Sequence, residues 1–317
     1  MQDYERRVGM EFLMWLENLR FPVMTEIMLL ITKLGEEMAF LAIALVVFWC
    51  VDKKRGYLLM TVGFMGTILN QFLKMVCMVP RPWMRGMDFS PVEEAKAAAG
   101  GYSFPSGHTT MAVGTFGSLA ATDRKKWRIT LFVALAALVG FSRMYLGVHT
   151  LEDVLVGALT AVVLIYIFKP VLYGNSEKTC YVLLGFMVVL SVAFTLYVEL
   201  YPFPADYDMH NYESGLKNAY TMLGCIWGAM IVYYVEGKHV HFNEKGVWWV
   251  QLIKIVLGIG AVLTVKEGLR APFELLCGGH MVARALRYLV IVLVAGILWP
   301  MTFRFWNKLA EKEKKNG

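Results

Sequence analysis

The chain is short of charge. Asp, Glu, Lys and Arg make up 18% of its 317 residues, where a soluble domain carries about a quarter. Hydrophobic residues reach 57%, and the mean hydropathy is +0.52. An ordinary soluble domain is excluded. Cysteine is scarce as well. Cys50, Cys77, Cys180, Cys225 and Cys277 form no C-x-x-C pair and mostly sit in or beside apolar runs. That pattern excludes a disulfide scaffold and a thiolate metal centre, and leaves buried free thiols. There is no low-complexity linker, clear internal repeat or separate soluble stretch, so one integral domain is expected. A signal peptide is not expected either, because Glu11, Glu17, Arg20 and Glu26 interrupt any apolar core near the start.

What the chain has is long apolar runs. Residues 57–73, 106–122, 129–148, 154–168, 180–198, 219–235, 250–265 and 288–303 approach the ~20 residues that carry a helix across ~30 Å of hydrocarbon. A further run, Met38 to Val51, reaches that length when extended through Gly35, Glu36 and Glu37 and on to Asp52. The expectation is nine spans. Cations then set the orientation, since Lys and Arg collect in loops that stay cytoplasmic. Lys53 to Arg55, Arg124 to Arg128, Lys169 with Lys178, Lys238 with Lys245, and the tail from Arg304 through Lys315 all fall on one side. The N-terminus is therefore expected outside and the C-terminus inside.

The formal charge of +6 is spread over these short loops instead of forming one patch, so topology accounts for it and no nucleic-acid partner is expected. Residues 4–33 mix charge with apolar side chains around Pro22 and read as one or two interfacial amphipathic helices.

Ionisable groups at the lip of a membrane helix are costly and mark function, and three stretches carry them on the same outer face. In "KMVCMVPRP", Lys74 ends one apolar helix and Arg81 follows Pro80; lipid-headgroup contact is the bland alternative. In "PSGH", Ser106, Gly107 and His108 open the 106–122 helix, whose free first-turn N–H groups and dipole suit an oxyanion. Ser106 can cap that helix, and capping alone is the bland alternative. In "SRMYLGVHTLED", Arg143 ends a helix, Gly147 breaks it, and His149 precedes Asp153 by four residues. On a helix that spacing lets the carboxylate accept from the imidazole Nδ1–H and leaves Nε2 free. Glu152 is a rival for the same task, and an interfacial His149 beside a capping Thr150 or Asp153 is the bland reading.

Taken together, one Lys, two Arg, Ser, Gly, two His and an Asp make a phosphate site, with one histidine to attack phosphorus and another to protonate the departing alcohol. That set requires no metal and no cofactor. The three segments, in this order and spacing over 74–153, resemble the signature of the phosphatidic acid phosphatase type 2 superfamily. That family includes bacterial lipid and undecaprenyl pyrophosphate phosphatases, sphingosine-phosphate phosphatases and glucose-6-phosphatase. The resemblance implies His149 as the nucleophile that becomes a phosphohistidine, Asp153 as its orienting group and His108 as the general acid. Lys74, Arg81, Ser106, Gly107 and Arg143 would hold the phosphoryl group.

The resemblance also implies an all-α polytopic membrane helix bundle: a six-helix core plus about three further C-terminal spans. The expected organisation is an amphipathic segment over 1–34, a phosphatase core over 35–178, and an extension with a cytoplasmic tail over 179–317. The nine-span layout is similar to glucose-6-phosphatase, while "LITKLGEEMAFLAIALVVFW" looks more like bacterial and sphingosine-type members. The expected partner is the lipid bilayer with a membrane lipid phosphate as substrate, in a bacterial cytoplasmic membrane with the site facing out. A phosphotransferase, a sugar-phosphate hydrolase and a non-catalytic lipid transporter are the alternatives. A vanadate-using haloperoxidase is disfavoured by the membrane architecture.

Other features receive plainer readings. His239 and His241 lack the partners of a metal site, and His210 and His280 are loop residues. Lys254, inside a span, snorkels or pairs in the bundle. Glu267, Arg270, Glu274, Arg284 and Arg287 are expected to form an outer ion-pair network, with a substrate rim as the alternative. The alanine-rich part of 83–104 reads either as a short helix over the site, with Asp88, Glu93, Glu94 and Lys96 biasing headgroup choice and Gly100 and Gly101 letting it move, or as a solvated loop whose charges have no special role.

Overall fold

The computed structural model describes the backbone of residues 2–86 and 88–316, and side chains over 9–86 and 88–311. The first residues of the amphipathic opening and the last lysines of the basic tail lie outside the described side chains. The described residues form helices and no strands, an all-α membrane bundle. Hydrocarbon offers backbone groups no water, and a helix satisfies them internally.

Among the described residues six helices are long and apolar enough to cross a bilayer: Lys53–Met84, Lys126–Tyr145, Leu151–Tyr173, Glu177–Leu200, Trp248–Leu276 and Val282–Glu311. The other three expected spans are helical with different dimensions. Glu37–Cys50 has 14 residues, about 21 Å at 1.5 Å per residue. The 107–122 helix is interrupted by a π-helical turn at Val113–Gly117. Met209–Val235 has 27 residues, with His210, Asn211, Glu213 and Lys217 making its first turns polar.

The chain divides into two compact units. The first comprises Met1–Leu41, Thr61–Phe168 and Tyr201–Leu216. Within it the amphipathic opening becomes two helices, Gln2–Asn18 and Pro22–Thr32. Pro22 sits at the start of the second, where its missing N–H would have no helical partner anyway. Met10, Leu13 and Leu16 pack with Phe89, Met144 and Val154. A second cluster joins Met28, Ala95 and Ala99 to Tyr145, Leu146 and Val148. Leu146 and Val148 are fully buried, and at about 1.5–3 kcal/mol for each buried aliphatic side chain they hold the 146–150 turn in place.

The alanine-rich stretch does form a short helix, Glu93–Ala97. Its small side chains let it lie against that turn, where the Val92 N–H donates to the Leu146 carbonyl at 3.0 Å.

The second unit comprises Ala42–Met60, Lys169–Leu200 and Lys217–Gly317. Here Lys254 is fully buried and pairs within the bundle. Its Nζ donates to the carbonyls of Asn243 at 3.0 Å and Glu244 at 3.1 Å, and lies 4.7 Å from the Phe303 ring centre. The five outer charged residues do not join in one network. Arg270 pairs with Glu274 at 3.2 Å, Glu267 with Lys266 at 3.7 Å, and Arg284 donates to the Thr221 hydroxyl at 2.6 Å. Neighbours one turn away on the same helix satisfy the first pair before any longer reach is needed.

Candidate active site

The site lies wholly in the first unit and grows from the turn between two membrane helices. Lys126–Tyr145 ends with Arg143 in its last turn. Gly147 then takes a positive φ of 79°, which a β-carbon would strain. That reversal brings His149 in just before Leu151–Tyr173, whose first turn carries Asp153.

His149 Nδ1 lies 3.3 Å from Asp153 Oδ2. The same carboxylate oxygen accepts from the Thr150 N–H at 2.9 Å and from the Ser103 hydroxyl. Asp153 is 1% exposed, whereas Glu152 points to the exterior. Helix phase therefore decides between the two carboxylates.

Nε2 of His149 faces the Arg81 guanidinium, with NH1 at 3.1 Å. Arg81 is buried, and backbone carbonyls take three further donors: Gly101 O accepts from Nε at 3.0 Å, Gly100 O from NH2 at 2.8 Å, and Val148 O also from NH1 at 3.0 Å. Gly100 and Gly101, expected to be a hinge, are pinned by these bonds. A guanidinium donates and never accepts, so Nε2 is the unprotonated nitrogen and Nδ1 carries the hydrogen toward Asp153. Burial, with the Arg81 charge second, holds the His149 pKa well below the ordinary histidine value. The His149–Asp153 contact is thus a hydrogen bond from a neutral ring.

Arg143 is 2% exposed. Its NH1 donates to the Thr32 hydroxyl at 2.7 Å, while its Nε is buried without a partner. An unpaired buried donor costs about 1–3 kcal/mol, and more when charged; a bound anion would relieve that cost. Lys74 is also buried and donates to the Tyr102 carbonyl at 2.6 Å.

Ser106 caps the next helix as expected, accepting from the Thr109 N–H at 3.4 Å and the Thr109 hydroxyl at 2.9 Å. Its own N–H donates to the Asp153 carbonyl at 2.9 Å, which ties this helix start to the His149 helix. Gly107 and His108 occupy the first turn, where N–H groups have no helical acceptor. All eight expected residues are thus in one unit: His149, Arg81 and Asp153 in direct sequence of contact, Ser106 joined to Asp153, and Lys74, Arg143, Gly107 and His108 on the surrounding elements.

Several participants carry no motif signal. Ser103 bonds Asp153, Thr32 bonds Arg143, and the carbonyls of Gly100, Gly101 and Tyr102 hold the cations. Arg20 clamps the 79–105 connection to the end of the Lys126–Tyr145 helix, its Nε donating to Tyr145 O at 2.9 Å and its NH1 to Ser90 O at 2.5 Å. The Pro-Ser-Gly context before His108 could have pointed to Ser103, two residues before Pro105. Nothing local points to Thr32 or Arg20. Among the described residues no three His, Cys, Asp or Glu side chains gather as a metal site would require.

An all-α membrane bundle whose two buried arginines and histidine–aspartate pair share one unit suits a membrane phosphatase, and comparison with known proteins agrees. The PAP2 superfamily model matches residues 54–177, and that of the PAP2 superfamily phosphatase transmembrane extension matches residues 220–312. Phosphatidylglycerophosphatase B of Bacillus subtilis is 30% identical over 173 residues, covering 50% of this chain and 79% of that protein. Undecaprenyl-diphosphatase BcrC of the same organism is 31% identical over 107 residues, covering 33% of this chain and 52% of that protein. Sphingosine-1-phosphate phosphatase 2 of Mus musculus is 30% identical over 144 residues, covering 43% of this chain and 39% of that protein. No solved structure matches the chain significantly. The chain belongs to the PAP2 superfamily, and it is a phosphoric monoester hydrolase of the membrane.

Proposed function

We propose that this phosphatase hydrolyses a membrane lipid phosphate through a phosphohistidine on His149, without a metal, at the non-cytoplasmic surface. The observation that carries the reading is a neutral, Asp153-oriented His149 against the buried Arg81 guanidinium, with a second buried guanidinium in the same unit, that of Arg143, holding an unpartnered Nε.

Nε2 of His149 attacks phosphorus in line with the ester oxygen. The N–P bond forms as the P–O bond breaks, and the alcohol leaves with a proton from His108. The bound dianion beside His108 favours its protonated form. Water then attacks the phosphohistidine and gives a proton to His108, and the P–N bond breaks to release phosphate. Phosphoryl transfer needs little beyond positioning and charge stabilisation. Arg81, Arg143, Lys74, the Ser106 hydroxyl and the Gly107 and His108 N–H groups supply both.

Residues 35–178 are assigned as the catalytic core and 179–317 as the extension. Loop charge supports an outside N-terminus and a cytoplasmic C-terminus in a bacterial cytoplasmic membrane. The names of the relatives support lipid phosphates and pyrophosphates as the substrate class.

The test is phosphate release by the purified chain in lipid with chelator present. Its panel is phosphatidic acid, phosphatidylglycerol phosphate, sphingosine phosphate, undecaprenyl pyrophosphate and glucose 6-phosphate, alongside His149→Ala. Release that the variant abolishes supports the reading. A folded wild type that hydrolyses none of them, or a variant as active as wild type, overturns it.

A further inference from the structure

Arg81 and Arg143 are held in opposite ways. Arg81 is gripped by three backbone carbonyls and faces His149. Arg143 makes a single hydrogen bond among the described residues, from NH1 to the Thr32 hydroxyl at 2.7 Å. Both partners are buried, Arg143 at 2% exposure and Thr32 at 6%. One side chain therefore sets the orientation of this cation.

Thr32 departs from the habit of helical threonines, whose hydroxyl commonly donates to the carbonyl one turn back. Thr115 bonds Met111 in that way, Thr160 bonds Val156 and Thr195 bonds Ser191. Thr32 ends the Pro22–Thr32 helix and makes no such bond among the described residues; its oxygen accepts from Arg143. Gly35 permits the close approach. A β-carbon there would come 2.8 Å from Val139 Cγ1, and Val139 lies one turn before Arg143. The amphipathic opening is anchored to the same helix again at its end, where Arg20 Nε donates to the Tyr145 carbonyl at 2.9 Å and the Phe21 N–H to the Tyr145 hydroxyl at 3.3 Å.

A guanidinium presents two-pronged edges that match the oxygens of a phosphate. With NH1 taken by Thr32, the edge formed by Nε and NH2 is left, and neither nitrogen makes a hydrogen bond among the described residues. Nε is buried from solvent, and a buried unpaired donor on a cation is costly. A ligand that brings two oxygens relieves it. The Arg143 charge acts on His108, His149 and Lys74 alike, so the open edge belongs with the reacting groups.

We infer that Thr32 is a positioning residue of the reaction: by holding NH1 it turns the Nε and NH2 edge of Arg143 to the phosphoryl group and keeps it there through transfer. The inference rests on the phosphatase reading above. It carries the catalytic apparatus upstream of the core at 35–178 and of the family match at 54–177, into the amphipathic opening.

A purely structural Thr32 would change how much protein folds and leave the chemistry of folded molecules alone. A positioning role ties its effect to Arg143 and to the transition state.

The experiment uses the full chain in lipid vesicles. Its substrate is phosphatidic acid, or whichever lipid of the panel above the wild type turns over fastest, and its inhibitors are inorganic phosphate and orthovanadate. Thr32→Val keeps the shape and removes the acceptor. Its kcat is expected to fall about ten- to a hundred-fold, the scale of a misplaced catalytic group, while KM moves by less than about three-fold. Thr32→Ser restores the hydroxyl and should stay within about three-fold of the wild-type kcat. In an Arg143→Lys background, which has no fork, Thr32→Val should cost less than about three-fold more. Orthovanadate forms five-coordinate adducts that resemble the transferring group. Its inhibition constant should rise nearly as far as kcat falls, and that of inorganic phosphate much less. Neither constant depends on the fraction folded.

A wild-type kcat in Thr32→Val, an equal loss in Thr32→Ser, or an undiminished loss in the Arg143→Lys background overturns the inference and leaves the phosphatase reading standing. If Thr32→Val does not fold, Thr32→Ala takes its place with the same expectations. Failure of both to fold assigns the hydroxyl to stability and overturns the inference. A wild type that hydrolyses none of the panel overturns both readings.

Discussion

NH1 of Arg81 lies 3.1 Å from Nε2 of His149, the nitrogen that attacks phosphorus in the proposed reaction. The guanidinium therefore occupies the nucleophile's lone pair while no substrate is bound. It also fixes the ring in the tautomer that attack requires, since a permanent donor at Nε2 leaves Nδ1–H to face Asp153. An arriving phosphoryl oxygen draws NH1 onto itself and frees the lone pair at the same moment. In the proposed reaction Arg81 would thereby serve as tautomer lock and phosphate ligand in turn.

Arg81→Lys tests that dual use. Lysine keeps the charge but cannot reach Gly100, Gly101, Val148 and His149 together. A loss of about 10²–10³ in kcat is expected, the scale of removing one preorganised donor. Steady-state kinetics on a lipid phosphate check it, and a loss below ten-fold would show that charge alone suffices.

Asp153→Asn and Ser103→Ala are expected to act through one hydrogen-bonded chain. The asparagine lacks the charge that stabilises the ring as it becomes cationic on attack, and a fall of up to ~10⁴ in kcat is expected from the analogous loss in hydrolytic triads. Ser103→Ala removes one bond to the carboxylate, worth about 1 kcal/mol, or roughly five- to ten-fold in rate. In the double variant the serine change should cost almost nothing further, because its partner's role is already gone. Full additivity would separate Ser103 from the catalytic chain.

The apolar runs made the helical fold legible, and the three motif stretches named eight residues that the structure places in one unit, because hydropathy and four-residue spacing are local signals. The tie between His149 and Asp153 is one turn of helix. What escaped is non-local. Arg20 and Thr32 meet the site across more than a hundred residues, and no composition or period marks such a contact. The carbonyls that hold Arg81 and Lys74 have no side-chain identity at all. The glycines at 100 and 101 were read as freedom because glycine favours mobile loops, yet here their backbone is what the guanidinium grips. The run at Met38 to Val51 reaches span length only through Gly35, Glu36, Glu37 and Asp52, and the helix itself stops at Glu37 and Cys50, 14 residues long.

The neutral resting state of His149 sets the sign of the pH dependence. Its folded pKa is depressed, so the neutral nucleophile is present above that value and lost as pH falls through it. The acid limb of kcat/KM is therefore expected below the ordinary histidine value of ~6.5. The substrate's own second ionisation, near ~6, is to be measured by phosphorus NMR and divided out. A corrected limb at or above the ordinary value would mean that His149 rests as a cation, held by Asp153 more strongly than burial and Arg81 oppose it.

The contact between the two helices of the site offers a test of geometry without touching a reacting group. Gly157 lies one turn beyond Asp153, and a β-carbon there would sit 2.7 Å from the Ser106 carbonyl oxygen and 3.0 Å from the Thr110 hydroxyl. The nearer atom is backbone, so relief requires the Ser106 segment to move. That segment is tied to Asp153 through the Ser106 N–H and carries Gly107 and His108. Gly157→Ala is therefore expected to destabilise the protein by about 1–3 kcal/mol, the range for overpacking. It should also lower kcat by more than it raises KM, since the displaced N–H groups serve the transferring phosphoryl group most in the transition state. Thermal unfolding in detergent reads the first effect and steady-state kinetics the second. A variant with wild-type kcat and a lowered Tm would show that the helix start tolerates displacement, and would remove the Gly107 and His108 N–H groups from the set of phosphate ligands.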